Sequence, residues 1–222
     1  AITFKYIERL ASVSYYGNAI QAESIEVAES SIGKALSLHA NDLYMRTYSQ
    51  VYLIKLNNLL NKESALTEEE KADLQLSFDQ ALSGALGATT YNANSYLNYQ
   101  NLGNVYSTAG SIGVQDAFNK AIEAYQVASS LNPFNPGIEL AISRAYFADG
   151  KIKDAKDLAN KALTLKADYI DALIMLSQIA KSEGNNTDAL SYAEKALSIS
   201  PTNSNLIEYV KSLQGGGSSS GN

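Results

Sequence analysis

"GNNTDALSYAEKALSISPTN", residues 184–203, repeats an earlier string, "GKIKDAKDLANKALTLKADY", residues 150–169. Gly150 answers Gly184, Ala155 answers Ala189, Lys161-Ala162-Leu163 answers Lys195-Ala196-Leu197, and Leu165 answers Ile199. A fixed period of this length marks a repeat architecture, in which one supersecondary unit is stacked on the next. In the unit 170–203, Leu173, Leu176, Ile179 and Ala180 recur at helical spacing. Gly184 ends that helix, and Asn185-Asn186-Thr187 supplies turn chemistry. A second helix carries Ala189, Ala193, Ala196 and Leu197 on one face until Pro201 stops it. The unit is helix–turn–helix.

The small residues have a physical purpose. Ala189 and Ala196 stand where two helices cross closely, and a larger side chain would force them apart. Ala189→Leu is therefore expected to overpack the crossing. With its large and small apolar residues in the first helix, Gly at the turn, alanines in the second helix and Pro at the end, the unit resembles the tetratricopeptide repeat (TPR). Residues 136–169 fit with Tyr146, Gly150, Ala155, Ala162 and Leu163, but have Ala167 where Pro is usual. The unit ending at Pro133 fits with Leu102-Gly103 and Tyr106 in its first helix and Ala121, Tyr125 and Ala128 in its second. "SIGVQD" lengthens its turn, an expected insertion of six residues.

Earlier units are degenerate. A helix is expected around 2–17, another around 20–38, a long one over 42–60, an extended turn over 61–70, and a helix over about 68–87 opened by a Thr67/Glu70 capping box. Residues 204–214 read as a lone capping helix, with Leu206, Ile207, Val210 and Leu213 inward and Glu208, Lys211 and Gln214 outward. The expected fold class is all-α: a right-handed TPR α-solenoid of about 4–5 helix–turn–helix units with a C-terminal capping helix. It spans 1–214, with clear repeats over 96–203, weak ones over 1–90, and a Gly/Ser-rich tail at 215–222.

Composition narrows the function. The chain has 222 residues, is 45% apolar and carries a formal charge of -6. The acidic balance argues against nucleic acid as a partner, and no stretch approaches the roughly 20 apolar residues of a membrane span. The chain begins at Ala1 without a basic and then apolar leader, so any signal peptide is expected to be already removed. With no Cys there are no disulfides, thiolate metal sites or Cys nucleophiles. The single His39 lies near a helix end, where it complements the helix dipole, and no second His exists to complete a metal site or dyad. Glu68-Glu69-Glu70 reads as a solvated helix start, because consecutive helical residues do not face one another. No catalytic residue, metal site or cofactor is expected, and the chain reads as a non-enzyme. Asn185-Asn186-Thr187 is an N-glycosylation sequon on an exposed turn, which makes Asn185 a candidate modification site.

The resemblance implies a function. TPR proteins bind a protein segment along the groove lined by the first helix of each unit. In this sequence that groove would comprise Leu97, Gln100, Asn104 and Ser107, then Leu140, Arg144 and Phe147, then Ile174, Gln178 and Lys181. The cationic, Asn-rich clamp of the chaperone-binding TPR type is not reproduced, since only Asn104, Arg144 and Lys181 qualify and they fall in three different units. The order of segments also resembles TPR modules of small-genome bacteria that follow O-antigen ligase/polymerase-type membrane regions. This implies a bacterial extracytoplasmic or cell-surface location, and an alternative role as the partner-binding module of such a protein.

Self-assembly is the other expectation. The first helix has Ile2, Phe4, Tyr6, Ile7, Leu10, Val13 and Tyr16 around most of its circumference, so something outside the solenoid should cover it. Phe4, Ile7, Leu10, Tyr15 and Tyr16 are candidate subunit contacts. So are Gly215, Gly216 and Gly217, since a Gly/Ser tail has no side chains to order it and needs a neighbour to do so. Tyr91 and Tyr96 are expected at the surface. A head-to-tail contact of this kind would propagate as a filament.

Overall fold

The computed structural model describes residues 2–215. Among them lie eleven α-helices and no strand. They are α1 (Ile2–Ile20), α2 (Ile25–Leu38), α3 (Asp42–Leu60), α4 (Glu68–Tyr91), α5 (Tyr96–Ser111), α6 (Ala117–Leu131), α7 (Pro136–Ala148), α8 (Ile152–Leu165), α9 (Ile170–Ser182), α10 (Asn186–Ile199) and α11 (Ser204–Gly215). Gly216 and Gly217, with the rest of the expected tail, lie outside the described residues. The chain forms two compact units, one over 1–131 and one from 132 on.

Local chemistry sets the boundaries. Asn41 Oδ1 accepts from the Tyr44 amide at the start of α3, Thr67 and Glu70 form the full capping box of α4, and Asn135 caps α7 with Pro136 behind it. Gly113, Gly150 and Gly184 have φ of 87°, 78° and 76°. After each, the next amide reaches back to a carbonyl of the preceding helix: Val114 to Ala109, Lys151 to Tyr146, Asn185 to Ala180. This left-handed helix stop, repeated three times, is what makes Gly obligatory at the turn.

In the first unit α1 pairs with α2, α3 with α4 and α5 with α6, and each pair also packs on the next. Its core has two clusters. One gathers Ala19, Ala28, Ile32, Ala35, Tyr44 and Val51, and the other Tyr52, Ala81, Ala85, Leu102, Val105 and Ala124. In the second unit α7 pairs with α8, α9 with α10, and α11 closes on α10. Ala155, Ala159 and Ala162 of α8 are fully buried against Ala172, Met175, Leu176 and Ile179 of α9. Leu206 and Val210 of α11 are buried, Ile207 and Leu213 are half-buried, and Glu208, Lys211 and Gln214 point outward.

The insertion in the third unit is not confined to its turn. α5 has 16 residues against 13 in α7 and α9, and α6 has 15 against 14 in α8 and α10. The connecting turn, residues 112–116, takes up the remainder. A lengthened helix satisfies its backbone groups internally, which a six-residue loop would leave to solvent.

Candidate functional site

Three of the helix pairs are each fastened by one buried serine. Ser49 Oγ donates to the Ala81 carbonyl at 2.7 Å, Ser143 Oγ to Ala155 at 2.6 Å, and Ser177 Oγ to Ala189 at 2.6 Å. A hydroxyl has one proton, so the remaining lone pairs of Ser49 and Ser177 are free to accept. Asn101 Nδ2 of α5 donates to Ser49 Oγ at 2.8 Å, and the Tyr209 hydroxyl of α11 lies 3.0 Å from Ser177 Oγ, where it acts as the donor. The same atom therefore joins the two helices of a unit and the first helix of the next element. Alanine is required opposite because the serine must reach a backbone carbonyl. Sequence reading found Ala155 and Ala189 but not Ala81, and missed the serines, whose 34-residue spacing (Ser143, Ser177) was the available signal.

In the first unit α3 and α5 lie side by side, and α5 carries the groove surface expected from the sequence. Gly103 exists because Tyr125 lies on it: a Cβ there would come within 2.4 Å of the ring. The Tyr125 hydroxyl then donates to Asn104 Oδ1 at 2.7 Å and sits 3.4 Å from Ser107 Oγ. Asn104 is exposed, Leu97 is exposed, and Gln100 and Ser107 are half-buried. One polar knot on this surface escaped sequence reading. Arg46 Nη1 of α3 donates to Asn98 Oδ1 at 2.6 Å, and Asn98 Nδ2 contacts Asp42 Oδ2 at 3.1 Å and the Ala88 and Asn92 carbonyls. Asn92 Nδ2 also donates to Asp42 Oδ2, at 3.0 Å. Burial pushes the Asp42 carboxyl up, but the hydrogen bonds from Asn98 and Asn92 and the charge of Arg46 outweigh it and hold it below the usual range.

In the second unit the candidate residues divide. Gln178 and Lys181 are exposed, Ile174 and Phe147 are half-buried, and Arg144 is exposed within 3.8 Å of Asp171. Leu140 is not a surface residue. It is buried in the cluster with Ala155, Ala159 and Met175, because it falls on the side of α7 that meets α8. The groove assignment of Leu140 is corrected accordingly.

Among the proposed subunit contacts, Phe4, Ile7 and Leu10 are exposed on α1. Tyr15 and Tyr16 are half-buried against the chain's own core, Tyr16 stacking on Tyr44 at 4.8 Å and Tyr15 lying under the Lys34 ammonium. Gly215 ends α11. Tyr91 is exposed and Tyr96 half-buried. His39 caps the end of α2 with its ring edge-on to Tyr44. Asn185 caps α10, its Oδ1 accepting from the Asp188 amide and its Nδ2 donating to Asp188 Oδ2 at 2.6 Å. No group of three His, Asp or Glu among the described residues is placed to hold a metal, and no helix there is long and apolar enough to cross a membrane.

These features define a class: an all-α fold of paired helices of the TPR-solenoid type. Residues 170–203 match the tetratricopeptide repeat family model. A thermophilic TPR protein of Thermus thermophilus is similar in structure, with a TM-score of 0.66, 17% identity, and coverage of 95% of this chain and 98% of that one. YrrB, described as a TPR protein with an unusual peptide-binding site, has a TM-score of 0.59 at 16% identity, with 90% of this chain and 92% of that chain covered. In sequence, the chain is 24% identical to the human protein O-mannosyl-transferase TMTC1 over 159 residues. That match takes in 72% of this chain and only 16% of the transferase.

Proposed function

We propose that the chain is a non-enzymatic scaffold that binds protein segments along the inner surfaces of its helix pairs and other copies of itself through α1. The observation that carries this reading is the exposed apolar surface of α1, on a fold whose solved relatives include a peptide-binding protein. Inner-surface residues Gln100, Asn104, Gln178 and Lys181 mix amide and charge beside the apolar Leu97, Phe147 and Ile174, which suits a polypeptide better than a small charged ligand. A bacterial extracytoplasmic or cell-surface location belongs to the same proposal and rests on the resemblance of the segment order. A head-to-tail filament is its extended form. It requires an apolar patch near the C-terminal end to receive α1.

A second reading has its own support. The match to a small part of a much larger O-mannosyl-transferase supports a partner-binding module attached to a glycan-transferring enzyme; that the module is the extramembrane part of an O-antigen ligase-like cell-envelope membrane protein rests on the resemblance of the segment order alone.

The test is site-specific photo-crosslinking in cells, with the reactive residue at Gln100, Gln178 or Leu10 and a control at exposed Lys195 on α10. Adducts at the first three positions and none at Lys195 are expected. Equal labelling at all four would sink the proposal. Negative-stain microscopy at rising concentration then separates fibres from single short particles.

A further inference from the structure

Helices α3 and α5 carry three charges between them, Asp42, Arg46 and Lys55, all on α3. Two are engaged. Lys55 pairs with Glu29 at 3.4 Å, and Asp42 Oδ2 accepts from both Asn92 and Asn98. Arg46 is different. It donates to a neutral amide, Asn98 Oδ1, at 2.6 Å, and among the described residues no carboxylate forms an ion pair with it. Asn98 is fully buried and is fixed by its contacts to Asp42 and to the Ala88 and Asn92 carbonyls. A guanidinium has five N–H donors, so this bond orients Arg46 and leaves most of its donors unspent. Asp42, one turn earlier, offsets part of the charge from a distance without occupying those donors.

The surroundings of Arg46 follow a register. Ser49 and Gly103 mark where α3 and α5 meet the second helices of their pairs, at Ala81 and Tyr125. This sets Leu43 level with Leu97, Arg46 with Gln100, and Gln50 with Asn104. Leu43 is 39% exposed and Leu97 41%, while Gln50 and Asn104 are exposed amides. Asn104 Oδ1 already accepts from Tyr125, which leaves its Nδ2 to donate. Along the two helices an apolar pair is therefore followed by one oriented cation and then by an amide pair.

We propose that this surface binds an extended polypeptide segment carrying an aspartate or glutamate beside a large apolar side chain. The carboxylate meets Arg46, the apolar group lies on Leu43 and Leu97, and the segment's backbone pairs with Gln50 and Asn104. The proposal rests on the reading above that the chain binds protein segments along the first helices of its pairs, and it names the side chains such a segment must carry. Charge selects the occupant. A carboxylate matches the planar fork of a guanidinium that a buried amide already holds in place. A basic segment would meet Arg46 as a like charge. Nucleic acid would bring a row of phosphates to a single cation on a chain of net charge -6, and a small anion would make no use of the two open leucines.

The experiment is selection of short random peptides, displayed on phage, against the full chain. The peptides are fused to the coat protein through their C-termini, so any carboxylate they present is a side chain. The enriched sequences are expected to carry Asp or Glu close to a large apolar residue. Synthesised with amidated ends, these peptides should bind more weakly as salt rises, because the pair at Arg46 is screened. Arg46→Gln should raise their dissociation constant roughly 10- to 150-fold, the effect of losing one charge-assisted hydrogen bond, while its side-chain amide can still donate to Asn98. Leu97→Ser should also weaken binding, with little change in melting because Leu97 is at the surface. Lys195→Gln on α10 should change nothing. Enriched peptides without an acidic residue, or peptides that Arg46→Gln and Leu97→Ser bind as tightly as the wild type, would overturn the proposal and leave the scaffold reading standing. If no peptide is enriched on the chain at all, both fail.

Discussion

At the scale of single residues, one hydroxyl does what a layer of hydrophobic contact cannot. Ser177 sits within 2.6 Å of the Ala189 carbonyl and 3.0 Å of the Tyr209 hydroxyl, so its loss removes the clasp between α9 and α10, leaving the Ala189 carbonyl only its bond within α10 and the half-buried Tyr209 hydroxyl without this partner. Ser177→Ala should cost about 1–3 kcal/mol in urea denaturation. The double variant with Tyr209→Phe should cost less than the sum of the two, since both changes remove the same Ser177–Tyr209 bond. Strict additivity would mean the two hydroxyls do not share a bond. Ala189→Leu acts at the same crossing by another route, forcing the backbones apart, and should cost roughly 1–3 kcal/mol by the same measurement. Asp42 ties stability to pH. Its carboxyl is held below the ordinary value in the folded chain, so it stabilises the fold at pH values above the unfolded group's range, and that contribution is lost as pH falls through the lower, folded value. Asp42→Asn should therefore be less stable than wild type at neutral pH and lose its disadvantage in acid. A parallel pH profile for the two proteins would assign the knot of Arg46, Asn98 and Asn92 no role in acid sensitivity.

At the scale of elements, the helix stops and caps explain how much of the fold could be read from residue order. The α3 boundaries and the capping box of α4 are written in local chemistry, Asn41 before Tyr44 and Thr67 before Glu70, and both were legible. Thr67→Ala should cost about 1 kcal/mol of thermal stability and shorten the protection of α4 from its start. A loss confined to the far end of α4 would contradict the cap's role. The distribution of the third unit's extra residues was not legible, because Leu102-Gly103 and Tyr106 fix where the helix packs but not where it begins. Local pattern also misplaced Leu140. Its position in the repeat marks a groove, but the turn of α7 that carries it meets α8. The packing of Tyr15 and Tyr16 on the chain's own core was hidden for a similar reason: an apolar residue on a helix with hydrophobics all round gives no sign of which side the next helix takes. Register marked Asn104 and Ser107 as candidate groove residues, while their engagement with Tyr125 needed the third dimension.

At the scale of the whole molecule, stability should be distributed and not global. Every strong contact described here lies within a helix pair or between neighbouring elements, and the chain divides into two units with separate cores. A repeat chain of this kind is held by a sum of local terms and nearest-neighbour couplings. A lesion in α9 or α10 should then loosen its own neighbourhood first. Hydrogen exchange of Ser177→Ala is the measurement: α9, α10 and α11, the three helices that share the serine's bonds, should exchange faster by the roughly 5- to 150-fold that a loss of about 1–3 kcal/mol implies. α3, α4 and α5 should keep their wild-type rates, held by Ser49, Ala81 and Asn101 in their own clasp. The mirror experiment, Ser49→Ala, should spare α9–α11. Equal acceleration of all eleven helices in either variant would show that the chain unfolds as one block, with coupling between the units as strong as the bonds inside them. The local outcome would also bear on function. Under the proposed scaffold reading, a chain whose units open independently could loosen one unit to admit a protein segment while the other stays closed.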